Sequence, residues 1–351
     1  MKSKLQAIKK WQQGEFISPR ALRIAPTESC NLKCIFCSRT VTNSFTNFEL
    51  SDETWIKIIR EAYELGIPFI DIAGGGEPFY KFNTTMKIIK EIIKLNLDGS
   101  VTTNGTLLVE STIRYLVKNN WKNITISIDA PYEKIHNKLR GCKACFIKSV
   151  NTIKLINKWK SRKSNLNKNF PHITINMVIM KHNFTYIEEM IRMAFRIKVN
   201  SVAFISLTSH DTETEKWKLN KKESAKFNEC AKRANRLAIK YKIKTNLDEF
   251  SDYEIISKTN KMRDILLSTN EINGEIPCYE PWVSLVIHPD GNVDPCQHNC
   301  HASQIGNRSL RDVWIKDRHL NKIRKSILKN KLFPQCDLCC SRYVAENKLK
   351  S

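Results

Sequence analysis

Three cysteines fall within eight residues, Cys30-Asn31-Leu32-Lys33-Cys34-Ile35-Phe36-Cys37, so any fold of this chain must present three thiols on one short loop. Thiolates are the usual protein ligands of iron–sulfur clusters, and a complete cubane takes four of them. With no fourth cysteine nearby, a cluster held here keeps one iron without a protein ligand. An open position of that kind lets a metal site bind a reactant rather than only brace a fold. The competing readings are a structural zinc site or three unrelated thiols. Zinc sites favour matched Cys-x2-Cys pairs, and the step from Cys30 to Cys34 departs from that spacing.

A chain of 351 residues with 41% apolar side chains can bury a sizeable core, and one large domain with a smaller one is the natural division. No secretory signal opens it, since residues 1–14 are basic and amphipathic, and no stretch has the 18 or so apolar residues of a membrane span. Twelve cysteines without a signal point to metal rather than disulfides, and to the cytoplasm. Lys and Arg number 58 against 35 Asp and Glu, a net charge of +23. Such a charge suits an acidic partner, or a lysine-rich surface in a chain also rich in Asn and Ile. The clusters at 158–168 and 216–222 are not interleaved with the aromatic platforms of single-strand binders. Nucleic acid and membrane are therefore left out of the expected partners.

Ser51, followed by Asp52 and Glu53, reads as a helix N-cap, and Trp55, Ile58, Ile59 and Ala62 recur at helical spacing. Strands are expected at 21–25, 67–73, 100–103, 124–129, 173–180 and 201–207. Helices are expected at 84–95, 110–118, 145–158, 186–197 and 221–241. Alternation of this kind builds a parallel sheet, here an α/β chain with a partial (β/α)6 TIM-like barrel and chemistry at the C-terminal strand ends. The motifs fall at those ends. The first strand runs into the cysteine loop, the second into Gly74-Gly75-Gly76-Glu77-Pro78, the third into Thr103-Asn104-Gly105, and the fourth carries Ser127 and Asp129.

On these residues the sequence resembles the radical S-adenosylmethionine superfamily, whose signature is Cys-x3-Cys-x2-Cys with an aromatic, here Phe36, before the last cysteine. The match covers about residues 18–245. The resemblance implies that Cys30, Cys34 and Cys37 hold a 4Fe–4S cluster whose fourth iron is chelated by S-adenosylmethionine. It further implies one-electron cleavage to a 5′-deoxyadenosyl radical that abstracts hydrogen from substrate. Gly75, Gly76 and Glu77 match the motif that supports the methionine amino group. Asn104, Ser127, Asp129 and Arg140 are further cofactor-binding candidates, although Asp129 with Arg140 also reads as a strand-end salt bridge. No residue is assigned a catalytic role.

The tail carries Cys278, then Cys296, then Cys336-Asp337-Leu338-Cys339, with the turn Pro289-Asp290-Gly291-Asn292 between the first two. Four thiolates complete a closed cluster, although a zinc-ribbon-like site has the same spacing. This region resembles the SPASM cluster-binding extension, or its shortened form, twitch, over about residues 275–340; Arg324 also fits it. A full SPASM domain has seven cysteines and two clusters, and only Cys340 follows Cys339. One auxiliary 4Fe–4S cluster on Cys278, Cys296, Cys336 and Cys339 is therefore expected, with Cys300 and Cys340 as substitute ligands. The expected division is a 1–17 extension, an 18–245 core, a 246–274 linker, a 275–342 cluster-binding domain of β-hairpin plus helix, and a 343–351 tail. Cys142, Cys145 and Cys230 read as packing thiols, and Asp290, Gln297, His298 and His301 as residues near cluster or substrate.

By resemblance, the chain is an enzyme that abstracts hydrogen from a small polar, sugar-like or cyclitol-like molecule, with the auxiliary cluster aiding oxidation. An external one-electron reductant of flavodoxin or ferredoxin type is implied. The second reading is modification of a peptide or protein side chain, which the short segment before the first strand counts against. The non-enzyme reading is a basic, metal-stabilised binding protein.

Overall fold

The computed structural model describes residues 8–42, 48–163, 170–208, 212–250, 278, 280–296 and 303–329. Six parallel strands lie in sequence order: β1 (Ala21–Ile24), β2 (Phe69–Ile72), β3 (Asp98–Thr103), β4 (Asn123–Ser127), β5 (His172–Ile179) and β6 (Ser201–Ser206). Between them run α1 (Asp52–Glu64), α2 (Phe82–Lys94), α3 (Glu110–Lys118), α4 (Glu133–Arg140), α5 (Cys145–Ser161) and α6 (Ile187–Arg196). After β6, α7 (Lys221–Tyr241) leads to the two-residue β7 (Lys244–Thr245) beside β6. This is the partial barrel expected from the alternation of elements.

Local chemistry sets the element ends. The Ser51 hydroxyl accepts the Thr54 N–H at 3.2 Å, and Trp55, Ile58, Ile59 and Ala62 bury the face of α1 that the spacing predicts. Asn220 and Glu223 bond each other's backbone N–H in a capping box that starts α7. No helix is expected from the sequence where α4 forms, because its eight residues carry only Ile135 and Leu139 as aliphatic side chains. This helix is seated against the cysteine loop: the Ile35 N–H donates to Leu139 O at 3.0 Å. A Cβ on Gly141, at φ +62°, would stand 2.4 Å from Lys33 O, so the close approach requires glycine.

The C-terminal region does not form a separate sheet. Its strands β8 (Ser284–Ile287), β9 (Asn292–Asp294) and β10 (Ser303–Gln304) extend the barrel sheet, with β8 parallel to β1 and Ala21 opposite Ser284. The order across all ten strands is β10-β9-β8-β1-β2-β3-β4-β5-β6-β7. Strand β1 has two backbone edges to satisfy, and the apolar Ser284–Ile287 run covers the one that β2 leaves open. Helices α8 (Leu310–Lys316) and α9 (Arg318–Leu328) follow. Arg324, 1% exposed, donates to Pro281 O and Trp314 O, and its guanidinium lies 4.2 Å from the Trp314 ring centroid. It thereby fastens both helices to the segment that enters β8. Among the described residues no helix is long and apolar enough to cross a membrane.

Candidate active site

The loops after β1, β2, β3 and β4 enclose a cavity of about 190 Å³. Cys30, Cys34, Cys37, Gly75, Gly76, Glu77, Asn104, Ser127 and Arg140 all line it, so nearly every residue singled out in the core comes to one place. Arg39 and Leu32 line it as well. No pattern marks Arg39 in the sequence, where it stands alone two residues after Cys37.

The glycine-rich turn is seated directly on the strand-to-loop segment that carries Cys30. The Gly76 N–H donates to Thr27 O at 2.7 Å and the Glu77 N–H to Ser29 O at 2.9 Å. A Cβ on Gly76 would stand 1.9 Å from Ser29 O, and one on Gly75 2.5 Å from Thr27 O. Glycine is needed here for chain-to-chain contact as much as for ligand approach.

Glu77 is 3% exposed, and its carboxylate is already engaged. Oε1 accepts from the Thr103 hydroxyl at 2.5 Å and the Phe79 N–H at 3.3 Å, and Oε2 from the Asn104 N–H at 2.7 Å. Burial pushes its pKa up against these bonds, which act to lower it. The side chain thus straps the β2 loop to the β3 loop. Asn104 extends the strap by donating to Asn31 Oδ1 at 2.9 Å, inside the cysteine loop.

Asp129 takes a different place from the one expected of a cofactor contact. It is 0% exposed and absent from the cavity lining. Oδ1 accepts the Val178 N–H at 3.0 Å, and Oδ2 lies 2.6 Å from Arg140 Nε. That short contact is an ion pair, its N–H not aligned for a hydrogen bond. A carboxylate buried this deeply needs a counter-charge, and α4 supplies it. Arg140 Nη1 then reaches Cys34 Sγ at 3.7 Å, and its guanidinium lies 5.4 Å from the Phe36 ring centroid. Burial raises the Cys34 pKa to about 11, opposed by Arg140. Beneath the pair, buried His136 accepts the Asp129 N–H on Nδ1 at 3.1 Å; burial and then Arg140 hold its pKa near 3, so the ring is neutral.

Among the described residues no three His, Cys, Asp or Glu side chains converge tightly enough to hold a single metal ion. The three thiols instead line a common cavity. That arrangement, with an all-thiol donor set, fits a polynuclear cluster better than one zinc. Cys142 and Cys145 pack against the same loop with Leu32 and Phe36, and Cys145 donates to Asn137 Oδ1 at 3.2 Å. Cys230 is buried on α7.

In the C-terminal region Cys278 and Cys296 are half-buried. Cys300, Cys336, Cys339, Cys340, Gln297, His298 and His301 lie outside the described residues. Asp290 is used locally: Oδ1 accepts the Asn292 N–H at 3.0 Å and fixes the hairpin turn. His288 Nε2 lies 2.8 Å from the fully buried Asp294 Oδ2 across the same hairpin.

Residues 24–194 match the radical SAM superfamily, and residues 278–340 match SPASM, an iron–sulfur cluster-binding domain. Among solved structures, Streptococcus suis SuiB bound to S-adenosylmethionine is similar with a TM-score of 0.69 at 20% identity, over 98% of this chain and 77% of that one. SuiB bound to precursor peptide SuiA gives 0.66 at 19%, over 91% and 70%. The structure of anSMEcpe with bound AdoMet and Cp18Cys peptide gives 0.64 at 19%, over 93% and 88%. At these identities the likeness speaks to the fold.

Proposed function

We propose, for a chain that belongs to the radical S-adenosylmethionine superfamily and carries a C-terminal SPASM domain, that Cys30, Cys34 and Cys37 are the ligands of the cluster at which S-adenosylmethionine binds. The observation that carries this is the common cavity: three thiols, a glycine turn and Arg140 face the same 190 Å³. When bound, the cluster and S-adenosylmethionine would supply one-electron cleavage and hydrogen abstraction, and an auxiliary cluster would supply an electron acceptor.

The chain's own residues bind and orient. Three thiolates satisfy three irons and leave the fourth open. The Gly75–Gly76 backbone, lacking side chains, lets the methionine end approach. Glu77 acts on that turn from behind, holding the β2 and β3 loops in register through Thr103 and Asn104. Arg140, held by Asp129, places a fixed positive charge beside Cys34 and favours its thiolate. Cys278, Cys296, Cys336 and Cys339 would hold the auxiliary 4Fe–4S cluster, with a flavodoxin- or ferredoxin-type protein as the external one-electron reductant.

For the substrate, a peptide or protein side chain is favoured over the small polar molecule expected from the sequence. The support is the pair of neighbours solved with peptides, each matching more than nine-tenths of this chain. Reconstituted protein, reduced anaerobically with dithionite in the presence of S-adenosylmethionine, should release 5′-deoxyadenosine and bind about eight irons, two cubanes' worth. Replacing Cys30, Cys34 and Cys37 by alanine should remove about half the iron and all the cleavage. Zinc in place of iron, or no 5′-deoxyadenosine from the wild type, sinks the reading. Whether a peptide library or a sugar and cyclitol panel consumes 5′-deoxyadenosyl equivalents separates the two substrate classes.

A further inference from the structure

At the opposite end of the strands from the cysteine loop lies a second cavity, of about 380 Å³. It is walled by His172 at the start of β5, Phe195 and Lys198 at the end of α6, Tyr241 and Lys242 at the end of α7, and Lys244 of β7. The sequence scatters these residues over more than seventy positions, outside the charge clusters at 158–168 and 216–222. The fold puts the two kinds of residue together.

Four observations point to a ligand. Lys198, Lys242 and Lys244 have no carboxylate partner among the described residues. Lys198 and Lys242 both adopt left-handed backbone, φ +57° and +56°, at helix ends where glycine or asparagine is the easier choice. Backbone strain kept at two lysines around one cavity asks for a use of the side chains. The Phe195 ring stacks on Tyr241 with centroids 4.3 Å apart and planes at 15°, and Phe195 is 51% exposed, so this aromatic pair opens to solvent beside the ammonium groups. Burial, then Lys160, Lys244 and Lys122, hold the His172 pKa below its ordinary value, which marks the cavity as electropositive.

We infer that this cavity binds a nucleotide, its base on the Phe195 face and its phosphate among Lys198, Lys242 and Lys244. Lysines alone would serve any anion. The stacked rings select for an anion that also carries a flat π-face, as every base does. An acidic peptide would leave the rings unused. The site lies apart from the radical chemistry, so apo full-length protein suffices to test it.

Fluorescence anisotropy of a labelled dT12 strand and, separately, of a labelled ATP, each with unlabelled ATP and polyglutamate of matched charge as competitors, reads the binding. Affinity should fall with salt at a log–log slope of about −2, from roughly −0.7 per phosphate contact at three lysines. Phe195→Ala should weaken binding about tenfold, the loss of one stacked base. The double variant Lys198→Gly, Lys242→Gly should weaken it at least as much while its urea midpoint holds or rises, because the left-handed strain is relieved. Displacement by ATP identifies a free nucleotide as the source, and binding of dT12 without displacement by ATP identifies a nucleotide within a single strand. Unchanged affinity in the double variant, absence of binding by dT12 and ATP alike, or equal displacement by polyglutamate overturns the proposal.

Discussion

Gly76→Ala is the most searching single substitution in the barrel. The new Cβ would lie 1.9 Å from Ser29 O, 2.5 Å from Ser29 C and 2.7 Å from Glu28 C, all backbone atoms. Ordinary contact begins near 3.4 Å, so the two segments must separate by about 1.5 Å. Separation breaks the Gly76-to-Thr27 and Glu77-to-Ser29 hydrogen bonds. Two lost bonds cost about 1–3 kcal/mol, and overpacking adds about 1–3 kcal/mol, for a total of about 2–6 kcal/mol. The moving segment includes Ser29, whose neighbour is Cys30, so the thiol is carried off with it. Apo protein should show the lost stability in urea, and reconstituted protein should lack about four irons per chain and release little 5′-deoxyadenosine. Gly74→Ala is the control. Its Cβ meets nothing closer than 3.7 Å, and its φ of +96° imposes only backbone strain of about 1–2 kcal/mol. A Gly76→Ala protein with wild-type stability, iron and cleavage refutes the seating of the turn on the cysteine loop.

Arg140→Met strands the Asp129 carboxylate and should cost the apo protein about 3–5 kcal/mol in urea; adding Asp129→Asn should recover part of it, and a purely additive loss speaks against the ion pair. Thr103→Val removes one donor from buried Glu77 and should cost about 1–3 kcal/mol, with reduced iron retention as the second readout. His136 predicts a pH effect with a definite sign. Its folded pKa, near 3, lies below the ordinary 6.5, so the unfolded chain takes up the proton first and stability falls as pH drops from about 6.5 towards 3. The difference spans about 4–5 kcal/mol at 1.36 kcal/mol per unit. The urea midpoint of His136→Gln should approach and then pass the wild type's as pH falls, and a constant gap between them refutes the assignment.

Most residues of the candidate site come to one cavity because their motifs sit on consecutive strand ends, where a parallel sheet must gather them. Helices α3 and α7 run over the ranges expected from the sequence, Glu110–Lys118 and Lys221–Tyr241. What escaped depends on distant partners. Asp129 reads both as a cofactor contact and as the salt-bridge partner of Arg140, and only the structure shows the second, because α4, which brings the counter-ion, has too few aliphatic residues to announce itself as a helix. Glu77 turns out to brace the turn it belongs to, since the Thr103 hydroxyl and Asn104 N–H reach it from the next strand. The hairpin at 284–294 was visible, but no local signal says which sheet it joins. The aromatic and cationic residues of the second cavity meet only after α6 and α7 have packed.

The pairing of β1 with β8 also sets a clock. Ala21 and Ser284 are neighbours in the sheet but 263 positions apart in the chain. At about 5–20 residues per second of synthesis, β1 waits roughly 13–50 seconds for the strand that covers its outer edge. Over that interval the segment leading into the cysteine loop has one bare backbone edge, open to pairing with another nascent chain. Delivery of iron and burial of the edge therefore compete in time, and slow translation of the stretch between Ala21 and Ser284 should lower the yield of cluster-loaded protein without altering any residue of the site.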